Sequence, residues 1–114
     1  RIKAMWEEFF TSFDVLICPV GFTTAFDHNH EPDMYNRTIT VDGVDRRYLE
    51  LPVWSSVATL PQLPSLVIPL GQNADGLPIG VQVIGPYLED YTPIAFAQAI
   101  EGLCSGYNPP PIVQ

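Results

Sequence analysis

Residues 59–85 read TLPQLPSLVIPLGQNADGLPIGVQVIG, and the architecture turns on how they are read. Two apolar runs, residues 65–70 and 79–84, flank a polar turn holding Asn73, Asp75 and Gly76. Pro61, Pro64, Pro69, Gly71, Pro78, Gly80 and Gly85 stand at the joints. Short apolar runs bounded by such breakers predict two strands. Gly80 and Gly85 are expected at close packing or strand ends, and Gln82 at a polar position satisfied by hydrogen bonds.

Helices flank the pair. Pro52 suits the first turn of a helix running to Leu60, with Leu49, Val53, Val57 and Leu60 on one face and Trp54 and Ala58 alongside. Downstream, Asp90 or Thr92 is the expected cap of a last helix with Pro93 in its first turn. Its buried face is predicted from Ile94, Ala97, Ile100 and Leu103, with Phe96 beside them, and Gly102 and Gly106 end it. The tail Asn108-Pro109-Pro110-Pro111 reads as extended chain.

At the front, Ile2, Met5, Trp6, Phe9, Phe10 and Phe13 repeat with helical spacing, and Lys3, Glu7 and Glu8 fall on the other side. That stripe is expected to pack into the core. Val15-Leu16-Ile17-Cys18, closed by Pro19, suits a strand buried on both faces, as in a parallel or mixed sheet. Asp42-Gly43 between residues 38–41 and 44–48 is a hairpin signal, and its charged flanks place it at the surface. The element order is α/β: a mixed sheet flanked by helices, with no internal domain boundary over residues 1–114.

Composition narrows the function. Apolar residues make up 46% of the 114 and charged ones 16%, which is globular rather than disordered. A net charge of −8 with five basic residues argues against nucleic acid or an anionic membrane as a partner. No run reaches the roughly 20 apolar residues of a membrane span, and no signal peptide opens the chain, so a cytoplasmic protein is expected. Arg1 is not an initiator and lies within a helical pattern, which reads as part of something longer. Cys18 and Cys104 are expected reduced and structural.

Residues 21–37 form a long polar loop with His28 and His30 beside Asp27, Glu31 and Asp33. That set suits a metal, but a structural site needs about four ligands and no second cluster follows. A solvated or pocket-lining loop, or a substrate gate, is the alternative. Ser55-Ser56 lie inside a predicted helix without a glycine cradle, Lys3 is the single lysine, and no glycine-rich phosphate loop occurs. No self-contained active site is expected.

Residues 59–100 resemble the C-terminal end of amidase signature enzymes, as found in bacterial amidases. The resemblance rests on Leu63-Pro64, Pro69-Leu70-Gly71 and the run Gly76-Leu77-Pro78-Ile79-Gly80-Val81-Gln82-Val83-Ile84-Gly85, followed by the helix 94–100. Phe13-Asp14-Val15-Leu16-Ile17-Cys18-Pro19 resembles the family's preceding strand, and Ala25-Phe26-Asp27-His28 a bacterial subgroup's loop. Thr59 departs from the Asn that many members carry. The resemblance implies a large α/β domain that hydrolyses carboxamides through a Ser–cis-Ser–Lys triad, with no cofactor. The motif carrying that triad is not in this sequence, so no catalytic residue carries over. What carries over is scaffold, with Trp54, Ser56, Val57, Phe26 and His28 as expected pocket lining. The implied partners are the remainder of the amidase chain and a small amide. Sheet faces left open by a missing remainder predict self-association. A free-standing acidic α/β binding module, using His28 and His30 for a metal or peptide, is the alternative.

Overall fold

In the computed structural model, which describes residues 1–104 and 106–110, the chain runs α1 (Ile2–Phe9), β1 (Leu16–Pro19), β2 (Thr38–Val41), β3 (Val44–Arg47), α2 (Val53–Thr59), β4 (Ser65–Gln72), β5 (Pro78–Ile84) and α3 (Tyr91–Ile100). Single 3₁₀ turns occupy Met34–Asn36, Tyr48–Glu50 and Glu101–Leu103. Ser105 and Pro111 lie outside the described residues.

The stretch from Ser65 to Ile84 folds as the sequence predicts. The β4–β5 turn is closed by Asn73, whose Oδ1 accepts the amides of Asp75 at 3.0 Å and Leu77 at 2.9 Å. Gly76 supplies the left-handed conformation there, at φ 78°. β4 pairs with β5 until Pro69, where Leu70 becomes the extra residue of a bulge. Proline has no amide hydrogen for the ladder, so a bulge is where it is tolerated. β1 pairs with the other side of β5, giving the order β1-β5-β4. β2 and β3 form a separate hairpin around Asp42 at φ 52° and Gly43 at φ 76°, a turn whose twist matches the strands.

Register sorts the sheet into two faces. Leu16, Cys18, Gln82, Ile84, Ser65 and Val67 share one; Ile17, Val83, Leu66 and Ile68 share the other. On the first face α2 packs down, burying Cys18, Ala58 and Ile84 with Phe10, Leu16, Trp54, Val57 and Leu63 around them. α3 packs against β4 and β5, and Val83 on the second face is fully buried. Gly85 sets that approach: a Cβ there would lie 2.5 Å from Pro93 Cδ. Both cysteines are free, Cys18 buried.

Six expectations are corrected. β1 is not buried on both faces, because it is an edge strand here and Ile17 stays 49% exposed. The pairings among the described residues are antiparallel throughout, not the parallel ones of a mixed sheet. The apolar stripe of residues 2–13 is only half covered: Trp6, Phe9 and Phe10 are half-buried, with Phe10 against the core, while Ile2 is exposed and Met5 and Phe13 are 64% and 57% exposed. α3 turns Pro93, Phe96, Ala97 and Ile100 inward and leaves Ile94 and Leu103 exposed, because Pro93 must seat on Gly85. Neither Asp90 nor Thr92 caps it with a side chain; the Thr92 hydroxyl donates to Glu89 at 3.0 Å. Gly102 lies inside the following 3₁₀ turn rather than ending the helix.

The fold is open for its size. A compact chain of 12.7 kDa exposes about 6,200 Å² by mass scaling, and this one exposes 8395 Å². Its radius of gyration is 16.4 Å against about 13 Å for a compact domain of this length. No helix among the described residues is long and apolar enough to cross a membrane.

Candidate functional site: a charge-free groove

The loop leaving β1 crosses the end of the sheet and walls a groove of about 750 Å³. Val20, Phe22, Thr24 and Phe26 form one side, Val67, Pro78, Ile79 and Gly80 the floor, and Leu51 the far wall. Gly80 lets the two floor strands close up, since a Cβ there would meet Val67 Cγ1 at 2.9 Å. Among the described residues none that lines the groove is charged, in a chain that carries 13 acidic and five basic ones. A second groove of about 380 Å³ is the opposite, carrying Lys3, Glu7, Asp14 and Glu89.

Three ties hold the loop over the floor. The Arg46 guanidinium of β3 sits 4.9 Å from the centre of the Phe22 ring, and Glu50 fixes that arginine through a 3.1 Å ion pair. Phe26 meets Tyr48 edge-on at 6.3 Å. Between them, Asn73 Nδ2 donates to Thr24 Oγ1 at 3.3 Å. The hairpin thus braces the loop from outside, and the β4–β5 turn braces it from below. Aromatic and cation–π contacts of this kind contribute about 0.5–1 kcal/mol each where exposed.

Gln82 joins the groove floor to the core. Its Nε2 donates to Cys18 Sγ and to the Trp54 carbonyl, both at 3.2 Å, while its Oε1 accepts from Ser65 Oγ at 2.9 Å. One buried amide therefore links β1, β4, β5 and α2. No described buried side-chain polar atom lacks a partner, as the sequence leads one to expect of Gln82.

The residues singled out in the sequence separate. Phe26 lies in the groove. Trp54 and Val57 are half-buried against the core, on the inner side of α2. Ser56 donates its hydroxyl to the Val53 carbonyl at 2.7 Å, and Ser55 to that of Pro52 at 2.9 Å. His28 is exposed outside the groove, its ring 6.1 Å from that of His30. Among the described residues no three of His, Cys, Asp and Glu are grouped to hold one ion. Sequence reasoning missed Phe22, Leu51 and Val67; the pairing of Phe22 with Phe26 at helical spacing inside a loop was the available signal.

The sequence model of the amidase family matches residues 1–93. Similar proteins include the A subunit of the glutamyl-tRNA(Gln) amidotransferase of Thermosynechococcus vestitus, 35% identical over 100 residues, covering 88% of this chain and 19% of that protein. Its counterpart in Gluconobacter oxydans is 32% identical over 103 residues, covering 90% and 19%. The one in Picosynechococcus sp. is 36% identical over 93 residues, covering 78% and 16%. The chain thus spans less than a fifth of the length of these curated relatives. With the family model matching more than four-fifths of its length, this chain belongs to the amidase family.

Proposed function

We propose that this chain is the C-terminal sheet and one pocket wall of a cytoplasmic amidase whose catalytic Ser–cis-Ser–Lys triad lies on the remainder of the parent protein. The observation that carries the reading is the family match over residues 1–93 in a chain whose Ser55, Ser56 and Ser65 hydroxyls are all engaged by non-basic acceptors. In the parent reaction a serine oxygen attacks the amide carbonyl, the C–N bond breaks, and the amine leaves with a proton. Water then cleaves the acyl ester, releasing the acid and restoring the serine. No metal or cofactor takes part in that scheme. In this reading Phe26 supplies a wall for the substrate, while Trp54, Ser56, Val57 and His28 stand outside the groove.

The remainder of the parent covers the open faces of the sheet and of α1. Names of the relatives point to an enzyme working within a larger chain or complex. The test is a comparison of two proteins. The parent chain should hydrolyse a simple aryl amide with a burst that disappears on substituting its nucleophilic serine. The 114-residue chain alone should be inert; serine-dependent burst kinetics from it would overturn the reading.

A further inference from the structure

We propose that the charged groove between α1 and the turns at residues 62 and 88 is a seat for a primary alkylammonium. Lys3 fills it in this structure, and an alkylammonium from solution takes its place once that side chain is removed.

The seat is built from two turns that both use a left-handed residue other than glycine. After α2 the Gln62 amide donates to the Thr59 carbonyl at 3.2 Å and the Leu63 amide to that of Ala58 at 2.9 Å. This pair of bonds closes a helix around a position that glycine usually fills, and Gln62 stands there at φ 63°. Glycine would relax the backbone but has no side-chain carbonyl to offer. After β5 the Glu89 amide closes on the Pro86 carbonyl at 3.1 Å, with Leu88 at φ 63°. The two turns present their side chains to one nitrogen. Gln62 Oε1 accepts from Lys3 Nζ at 2.5 Å, a tie across 59 residues of sequence, and the centre of the Tyr87 ring lies 4.4 Å from the same atom.

Electrostatics favours a cation at that point. Glu7, Asp14 and Glu89 line the same groove of about 380 Å³, in which Lys3 is the one cation among the described residues. None of these carboxylates comes within ion-pair distance of Lys3, so the ammonium takes a neutral carbonyl and a ring face while the acids surround it at longer range. A primary ammonium brings charge and N–H donors together. A quaternary ammonium brings the charge without the donor, and an alcohol the donor without the charge.

Lys3→Ala removes the atoms of n-propylammonium, which is therefore the probe. Urea unfolding of the 114-residue variant is followed with n-propylammonium chloride, and with sodium chloride, tetramethylammonium chloride or n-propanol at the same concentration. The substitution should lower the midpoint, and n-propylammonium should restore about half of the lost shift or more by binding the folded state. The other three should restore little of it. Adding Gln62→Gly and Tyr87→Leu should abolish the restoration, an effect that a merely structural role for those side chains does not produce. A second measurement reads the seat without touching Lys3. In the unsubstituted chain the Tyr87 ring current should move the ε-protons of the single lysine upfield by NMR, and Tyr87→Leu should return them. The inference fails if n-propylammonium does no more than sodium chloride, or if n-propanol or tetramethylammonium does as well. It fails equally if restoration survives the loss of Gln62 and Tyr87, or if the lysine ε-protons resonate where an unfolded chain puts them.

Discussion

Gly85 and Gly80 are both closely approached, but by different things. At Gly85 a methyl would press on the ring of Pro93, which is itself fully buried. At Gly80 it would meet the end of an exposed valine side chain that can turn aside, and the Ile68 carbonyl at 3.3 Å. Gly85→Ala should therefore cost about 2 kcal/mol and Gly80→Ala about 1 kcal/mol, read from urea midpoints at constant slope. Reversal of that order would refute the packing assigned to α3. At Gln82 the issue is polar rather than steric. Gln82→Leu removes the partner of the Trp54 carbonyl and of the Ser65 hydroxyl, and should cost about 2 kcal/mol; Ser65→Ala, which leaves Gln82 its other contacts, should cost less than half of that. These residues were legible in the sequence, because glycines and a glutamine inside apolar strands have few structural uses. Their partners were not, since Pro93, Cys18 and Trp54 are brought to them only by the tertiary fold.

Among the elements, turns were the more readable and helix faces the less. Asp42-Gly43 and Asn73 to Gly76 fold as their chemistry dictates, through positive φ and side-chain-to-backbone bonds. Periodicity gave the existence of α1 and α3 but not their buried faces. In α3 the seat of Pro93 on Gly85 rotates the helix away from the stripe that Ile94 and Leu103 suggest. The groove was legible only at Phe26, because its other ties run between a loop and a hairpin far apart in sequence. The turn between β5 and α3 holds a feature that pattern cannot reveal: Leu88 has φ 63° and is 76% exposed. A branched side chain gains little there and strains the backbone by roughly 1–2 kcal/mol. Leu88→Gly should accordingly stabilise the chain by about 0.5 kcal/mol after the flexibility glycine adds to the unfolded state, seen as a higher urea midpoint. A loss of stability would mean that the side chain makes contacts its exposure conceals.

At the scale of the whole molecule, surface decides behaviour. The excess over a compact chain of this mass is roughly 2,000 Å², more than the about 800 Å² per partner of a standard interface. Met5 on the first helix, Phe13 in the turn after it and Ile17 on β1 belong to that excess. The 114-residue chain on its own should therefore self-associate in a concentration-dependent way by light scattering. Added salt should strengthen the association, because each copy carries −8. Met5→Glu with Phe13→Glu should weaken it several-fold. A monomer at every concentration and salt would show that the exposed stripe has no affinity for its own kind.

One contact in this surface doubles as an experimental handle. Lys3, the single lysine, donates to Gln62 Oε1 at 2.5 Å and stands 4.4 Å from the centre of the Tyr87 ring. Gln62 and the neighbour of Tyr87, Leu88, both have φ of 63°, so the ammonium bridges two left-handed turns that lie on either side of the β4–β5 pair. Lys3 offers an amine-directed acyl reagent its one side-chain amine, told apart from the α-amino group by peptide mass. Acylation neutralises it and releases α1 from both turns at once, so the rate of labelling reports the docking of the first helix without any engineered probe.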